Sequence, residues 1–408
     1  MLEPILFTSI QEASKANYWP NVYTTVAELN VASIQTVMGS VGGKFFFFIS
    51  LIGILLTLLY WRKKTIGVLF SFLLVAWFVG TIYASTQGVR FVEYFAPAFA
   101  IAFGSTLGLI YYKTSGLISK ALSMNQKLVK ASFLILFLIL MIAPIQAAHN
   151  AAMGQLPLID DNWVGSLEYI KQNTPQDTII TSWWDYGHWF KYVADRAVTF
   201  DGASQNIPQA HWVGKALLTS SEEESLGILK MLNCGANDAY NLLDKEVSDQ
   251  IKTKEIIDKL ILLDKNEARE LLKQYTSNPD LILEKTHCEN PRPHYLIVSE
   301  DMVSKAGVWG HFGAWDFKKA KAARIIKAND EQKAVQLLID ELNFSEETAK
   351  QAVKEIKLAD ERSINNWISP FTSYSDVGNC QEQNNTILCT NGSIIDKTNN
   401  TIKLFTKQ

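Results

Sequence analysis

The sequence predicts a multi-span α-helical membrane region of four transmembrane helices, followed by an external α/β domain with a small β-rich C-terminal appendage. Three observations carry this reading. The 408 residues are 48% hydrophobic, but the apolar character is concentrated before about Ala148, and the remainder is polar, charged and broken by turns. Four stretches of the first half, Phe45–Trp61, Ile66–Thr86, Phe91–Tyr112 and Ala131–Ala148, are long and apolar enough, or nearly so, to cross a bilayer. The second half mixes helical spacing with short β-branched runs and is long enough to bury a core of its own.

Residues 1–44 carry Tyr18-Trp19-Pro20, Tyr23 and a polar stretch through Asn30, and read as an external loop segment. Residues 45–148 are the membrane region, whose first helix has room to begin near Val37. The apolar stretches are internal and repeated, which argues against a signal peptide. Loop charges set the orientation: Arg62-Lys63-Lys64 follows the first span, and Lys113, Lys120, Lys127 and Lys130 separate the third from the fourth, whereas Arg90 is the only base between the second and third. The positive-inside rule places the two basic loops in the cytoplasm and everything after Ala148 on the extracytoplasmic face of the cell membrane. A formal net charge of −3 gives no reason to expect nucleic acid as a partner.

Residues 149–364 form the external α/β domain. Helices are expected at Val164–Gln172, His211–Leu218 and Glu222–Leu232, the last with Thr219-Ser220-Ser221 ahead of an acidic first turn. A charged helical region covers Ala239–Tyr275, and helical patterning returns at Phe317–Ala328, Glu331–Leu342 and Ser345–Leu358. Strands are expected at Thr178–Ser182, Ala197–Phe200 and Tyr295–Val298. Residues 365–408 form the appendage, with hairpin-like runs in Asn384–Lys407. Cys234, Cys288, Cys380 and Cys389 all lie in the external half, where two disulfides with three connectivities are open; Cys380 with Cys389 is the preferred local pair.

The segment Trp183-Trp184-Asp185-Tyr186-Gly187 is the strongest chemical signal. Tryptophan is scarce, 11 residues in all, and two in a row follow a β-branched run, where a strand opens into a loop. A hydroxyl can donate to the Asp185 carboxylate and accept from an indole N–H of Trp183 or Trp184, and a site built this way rejects analogues that lack the hydroxyl. Thr25-Val26-Ala27-Glu28 precedes the first span; Arg90 stands at the external end of a membrane helix, a depth suited to a phosphate partner. Asp316-Phe317-Lys318-Lys319 puts Asp316 and Lys319 on one face of a helical turn. Asn343, Asn384, Asn391 and Asn399 begin Asn-X-Ser/Thr sequons.

The pentapeptide resembles the signature of oligosaccharyltransferase catalytic subunits, and the chain looks like the C-terminal part of an archaeal-type member, a dolichyl-phosphooligosaccharide–protein glycosyltransferase. That resemblance implies a glycosyltransferase of protein N-glycosylation, moving glycan from a dolichyl-type lipid-linked donor to Asn in Asn-X-Ser/Thr. It gives Trp183, Trp184 and Asp185 the hydroxyl two residues after the acceptor Asn, with Tyr186 and Gly187 shaping the loop and Asp316 and Lys319 assisting; Ala323 stands where the family has Met or Ile. It gives Arg90 the lipid diphosphate and Glu28 a catalytic, metal-side role toward Mn²⁺ or Mg²⁺, with Val26 in place of the family's Ile.

The family's metal-binding aspartates lie on earlier external loops, and Glu28 alone does not hold such an ion. The expectation is therefore a chain inactive by itself, incomplete without N-terminal spans supplied by a separate chain or lost by truncation. The alternative expectation is a non-catalytic, membrane-anchored sequon-binding subunit.

Overall fold

The computed structural model describes residues 18–20, 31–61, 65–155, 157–203, 208–370, 380–383, 386–389, 394–396 and 401–403. Thr25 to Glu28 and the sequon asparagines Asn384, Asn391 and Asn399 lie outside these. The chain divides into two compact units, one of Met1–Glu12 with Val26–Asp160 and one of Ala13–Thr25 with Asp161–Gln408.

In the first unit, α1 (Ile34–Ser40) and α2 (Lys44–Trp61) meet at 91° across Gly42 and Gly43, whose φ angles of +91° and +96° suit a residue without Cβ. The predicted first span therefore does not run back to Val37 as one straight helix. Next come α3 (Thr65–Gln87) and α4 (Val92–Leu109), which continues through a π-helical turn at Ile110–Thr114 into α5 (Ser115–Ala121); α6 (Gln126–Met153) closes the unit. Gly67–Gln87, Val89–Ala121 and Gln126–Met153 are long and apolar enough to cross a membrane, and the bent pair makes a fourth if it is one span.

Helices α2, α3 and α4 share a core of Phe47, Ile54, Leu74, Phe78, Phe95, Ala98 and Ala102. The rings of Phe78 and Phe95 meet edge-on at 5.0 Å, and the Thr106 hydroxyl donates to the Ile49 carbonyl across α2 and α4 at 2.7 Å. Small residues at 98 and 102 let the helices approach closely enough for that bond. On α6 only Val129 is buried, while Leu134, Leu138 and Ile142 are exposed, the pattern of a helix whose surroundings are apolar.

The second unit is mostly helical. After α7 (Asp161–Asn173) come β1 (Ile179–Thr181), α8 (Gly187–Tyr192) and β2 (Ala197–Val198). Helices α9 (Gln209–Leu218), α10 (Glu222–Gly235), α11 (Asp238–Val247), α12 (Gln250–Leu260), α13 (Lys265–Leu272) and α14 (Pro279–Thr286) lead to β3 (His294–Leu296). Then follow α15 (Glu300–Ser304), α16 (Ala306–Gly313), α17 (Phe317–Ala328), α18 (Glu331–Leu342), α19 (Glu346–Ile356) and α20 (Glu361–Ile368). The strands form one short parallel sheet in the order β2-β1-β3, with Ile179 opposite both Ala197 and His294. Three strands of two or three residues make a weak α/β character beside so many helices.

Local chemistry explains the helix ends. Ser221, Asp316, Asp330, Ser345 and Asp360 each accept a backbone N–H three residues on, and Asp264 with Glu267 completes a capping box. Asn343, at φ 51°, ends α18 in the left-handed region that asparagine tolerates. The expected charged region Ala239–Tyr275 is cut into α11, α12 and α13 because Ser248-Asp249 and Leu263-Asp264 supply breaks and caps.

A disulfide joins Cys234, at the end of α10, to Cys288, just past α14. The strands β4 (Cys380–Gln383), β5 (Thr386–Cys389), β6 (Ile394–Asp396) and β7 (Thr401–Lys403) form an antiparallel meander. Its register sets Cys380 opposite Cys389.

Candidate functional site

The pentapeptide begins two residues past β1, at the carboxyl end of the parallel strands, where ligand sites of such sheets collect. The strand ends are pinned together by side chains: Thr181 Oγ1 lies 2.6 Å from Thr199 Oγ1 and 2.6 Å from His294 Nε2. Trp183 leaves in extended conformation, and Trp184–Tyr186 turn once in a 3₁₀ helix that runs into α8.

Each residue of the turn has its own surroundings. Trp183 is 1% exposed and is packed edge-on against Phe200 (5.4 Å) and tilted against Phe312 of α16 (5.6 Å). Trp184 is half-buried, and its indole Nε1–H is buried without a hydrogen-bond partner among the described residues. Tyr186 stacks on Trp163 of α7 at 5.1 Å, and its hydroxyl donates to Asp301. A Cβ on Gly187 would stand 2.4 Å from Asp201 Cβ and 2.7 Å from the Phe200 carbonyl oxygen, so only glycine fits this closure. His188 is exposed.

Lys305 ties the turn to α15. Its Nζ lies 3.4 Å from Asp185 Oδ1 and 3.7 Å from Asp301 Oδ2, donates to the Tyr186 hydroxyl at 3.2 Å, and sits over the Tyr186 ring at 4.7 Å. Burial pushes the Asp185 carboxyl above its ordinary range; the Lys305 ammonium pulls it back, and the charge of Asp301 adds to the rise. For Asp301 burial also works upward, but hydrogen bonds from Ser299 and Tyr186 and the Lys305 charge prevail, so its carboxyl lies below the ordinary value. Burial, and then donation to Asp301, raise the Tyr186 phenol.

The wall behind Trp183 is stiff. Helices α9 and α16 cross at Gly214 and Gly313, where a Cβ on either would meet backbone of the other within 2.5 Å. Near this crossing His211 donates from Nδ1 to the Phe312 carbonyl at 2.8 Å. A carbonyl only accepts, so the buried ring carries its proton on Nδ1, and Nε2 is left as a buried acceptor without a partner among the described residues. Burial first, and then the charge of Lys254, hold His211 well below the ordinary imidazole pKa.

Asp316 and Lys319 do not meet the pentapeptide. Asp316 caps α17 by accepting from the Lys319 backbone at 3.0 Å, and Lys319 Nζ donates to the Trp367 carbonyl at 3.0 Å and lies over that indole at 5.2 Å. The acid–base pair in contact with the turn is Asp301 and Lys305, four residues apart on the neighbouring helical turn. Sequence reading missed them, although Asp-x-x-x-Lys is a helical pairing distance and Trp163 and Phe312 also carry the aromatic signal. Arg90 lies in the first unit, exposed in a 3₁₀ turn (Val89–Phe91) that opens α4. Among the described residues no group of three His, Cys, Asp or Glu side chains is placed to hold a metal ion.

Residues 176–319, from just before β1 to Lys319, match the family model described as the STT3/PglB/AglB core domain. This stretch is an STT3/PglB/AglB core domain. The core domain thus holds the sheet, the pentapeptide and both acid–base pairs. Dolichyl-phosphooligosaccharide-protein glycotransferases of Methanocaldococcus jannaschii and Methanococcus voltae are similar to about three quarters of the chain. The first is 32% identical over 370 residues, covering 73% of this chain and 39% of the relative. The second is 31% identical over 401 residues, covering 77% and 43%. The chain spans well under half the length of either. The solved Archaeoglobus fulgidus oligosaccharyltransferase, tethered with an acceptor peptide containing the NVT sequon, aligns at TM-score 0.41 with 17% identity, over 61% of this chain and 34% of that one. That likeness is too slight to bear on function.

Proposed function

We propose that the chain supplies the acceptor-recognition part of an oligosaccharyltransferase, the enzyme class that transfers glycan from a dolichyl-type lipid-linked donor to Asn in Asn-X-Ser/Thr. One observation carries the reading: the Trp184 indole N–H is buried without a partner among the described residues, and the next residue, Asp185, presents a carboxyl that lies 3.4 Å from the Lys305 ammonium. An unpaired buried donor costs about 1–3 kcal/mol. A Ser or Thr hydroxyl that accepts from Trp184 and donates to Asp185 relieves that cost, and a hydrogen or methyl in its place does not. The names of the two methanogen relatives agree with this role.

In this reading Trp183 and Tyr186 hold the wall and floor of the clamp, Gly187 closes it, and Asp301 and Lys305 orient Asp185. Asp316 and Lys319 support α17 behind it. Arg90 serves the donor diphosphate in the membrane unit, and the chain is a multi-pass protein of the cell membrane, its external α/β domain and β-rich appendage on the extracytoplasmic face. Glu28 is assigned the metal side. The described residues offer no site for Mn²⁺ or Mg²⁺, and such ions require several oxygen ligands, so no step is derived through them.

The test is equilibrium binding of fluorescent Asn-X-Thr and Asn-X-Ala peptides to the purified chain in lipid nanodiscs. The Thr peptide should bind about tenfold tighter, the worth of roughly 1.4 kcal/mol, and Trp184→Phe or Asp185→Ala should erase the difference. Equal binding of the two peptides by the unmodified chain sinks the reading.

A further inference from the structure

Strand β3 is an edge strand: the sheet order β2-β1-β3 leaves one of its sides without a neighbouring strand among the described residues. The hydrogen bonds to β1 fix which residues face that open side. Ile179 N–H donates to the Pro293 carbonyl and Ile297 N–H donates to the Thr181 carbonyl, both at 2.9 Å, so the odd-numbered residues pair with β1. Pro293, which has no N–H, stands on this inner side. Residues 292, 294 and 296 therefore turn their backbone N–H and C=O groups outward. The side chain of Asn233 in α10 closes the first of these: Arg292 N–H donates to its Oδ1 at 3.1 Å, and its Nδ2 donates to the Arg292 carbonyl at 2.9 Å. One asparagine amide here takes the place of a neighbouring strand. The same backbone groups of His294 and Leu296 have no partner among the described residues.

Beside this open row lies a groove of about 660 Å³ between β3 and α10, lined by Leu226, Leu229, Lys230, Arg292, His294 and Leu296. Tyr295, Leu296 and Val298 are exposed. We propose that the outer edge of β3 and the facing side of α10 bind the acceptor polypeptide as an added β-strand, through the residues that follow its Ser or Thr. The proposal rests on the functional reading above for the clamp. Extended main chain is what meets both the donors and the acceptors of His294 and Leu296, and this decides for polypeptide. A strand added there lies two strand spacings, about 10 Å, from β1, and the pentapeptide begins two residues past β1. The acceptor Asn has to stay free for glycan transfer, so the stretch after the hydroxyl is the part left to enter the groove. About three extended residues cross 10 Å. The residues after them pair with β3, and Lys230 and Arg292, at the end of the groove away from the pentapeptide, favour an acidic side chain there.

The experiment measures binding of Asn-X-Thr peptides to the chain in nanodiscs, with either one or eight residues after the Thr, the longer flank ending in Glu. The long flank should tighten binding about tenfold, the worth of one or two net hydrogen bonds, and should do so for Asn-X-Ala peptides as well. Single backbone N-methylation in the last five residues should cancel the gain at every second position and spare it at the others, because alternate N–H groups of an added strand face β3. Leu296→Pro, which removes an outward donor and no bond to β1, should weaken the long peptide and leave the short one unchanged. No gain from the long flank, or N-methyl losses that do not alternate, overturns the proposal. So does a dimer of the chain that Leu296→Pro separates, which gives the edge to a second copy. If Thr and Ala peptides bind alike while the flank effect alternates, the clamp reading fails separately and the strand site stands.

Discussion

Lys305 Nζ stands 3.4 Å from Asp185 Oδ1 and donates to the Tyr186 hydroxyl, so one ammonium group serves both polar side chains of the turn. Both charged groups of the pair are about one-third exposed, and solvent screens part of their attraction.

Lys305→Met should therefore cost only about 1 kcal/mol at pH 7. The sign with pH is unusual for a carboxylate. The folded-state pKa of Asp185 is raised, so the native chain holds that proton more tightly than the unfolded chain, and the stability gained from it is lost as pH rises above the ordinary Asp value. Without Lys305 the rise is larger. The destabilisation of Lys305→Met should consequently fade as pH drops toward 4, as read by thermal melts of variant and parent across pH 4–8.

Gly187→Ala should destabilise the external unit by about 2–4 kcal/mol. The added methyl meets Asp201 and the Phe200 backbone, none of which is the free end of a flexible side chain. A melting temperature within 1–2 °C of the parent would contradict this, since about 2 kcal/mol moves a unit of this size by more than that.

His311 is buried beside Ser369, whose carbonyl accepts from its Nδ1 at 2.5 Å. Burial lowers its pKa from 6.5 to about 4, against the pull of that hydrogen bond. The folded state thus refuses a proton that the unfolded chain accepts, so its contribution is intact above pH 6.5 and is lost as pH falls through that value toward 4, on the order of 3 kcal/mol in all. His311→Asn should flatten this part of the pH–stability curve, measured by urea unfolding at pH 4.5 and 7.

Reducing the Cys234–Cys288 bond, or replacing both residues with Ser, releases a loop with a sequence separation of 54. Loop-closure entropy puts the loss at about 4 kcal/mol. Denaturant midpoints with and without reductant give the value, and an unshifted midpoint refutes it.

Much of the helical skeleton was legible because its signals are local. Thr219-Ser220-Ser221 announced one helix start by capping chemistry, and Phe317–Ala328 and Glu331–Leu342 were read with their observed ends. Helix α16 was not: Gly307, Gly310 and Gly313 lower helix propensity, and what holds the helix there is contact with α9, which no local pattern encodes. The same limit applies to the surroundings of the pentapeptide. Trp183 to Gly187 were visible as a rare run, whereas Lys305 and Phe312 belong to it only through a fold that brings together residues more than a hundred positions apart. Asp316 and Lys319 had the right spacing, but their side chains are occupied by a cap and by the Trp367 carbonyl.

At the crossing of Gly214 and Gly313 no side chain separates the two backbones, so no rotamer change lets α9 and α16 part or settle closer. A lining built from mobile side chains adapts to whatever enters, and a lining set by main chain does not. In the acceptor reading proposed above, telling a hydroxymethyl group from a bare methyl would depend on this joint behind the tryptophans as much as on the tryptophans themselves.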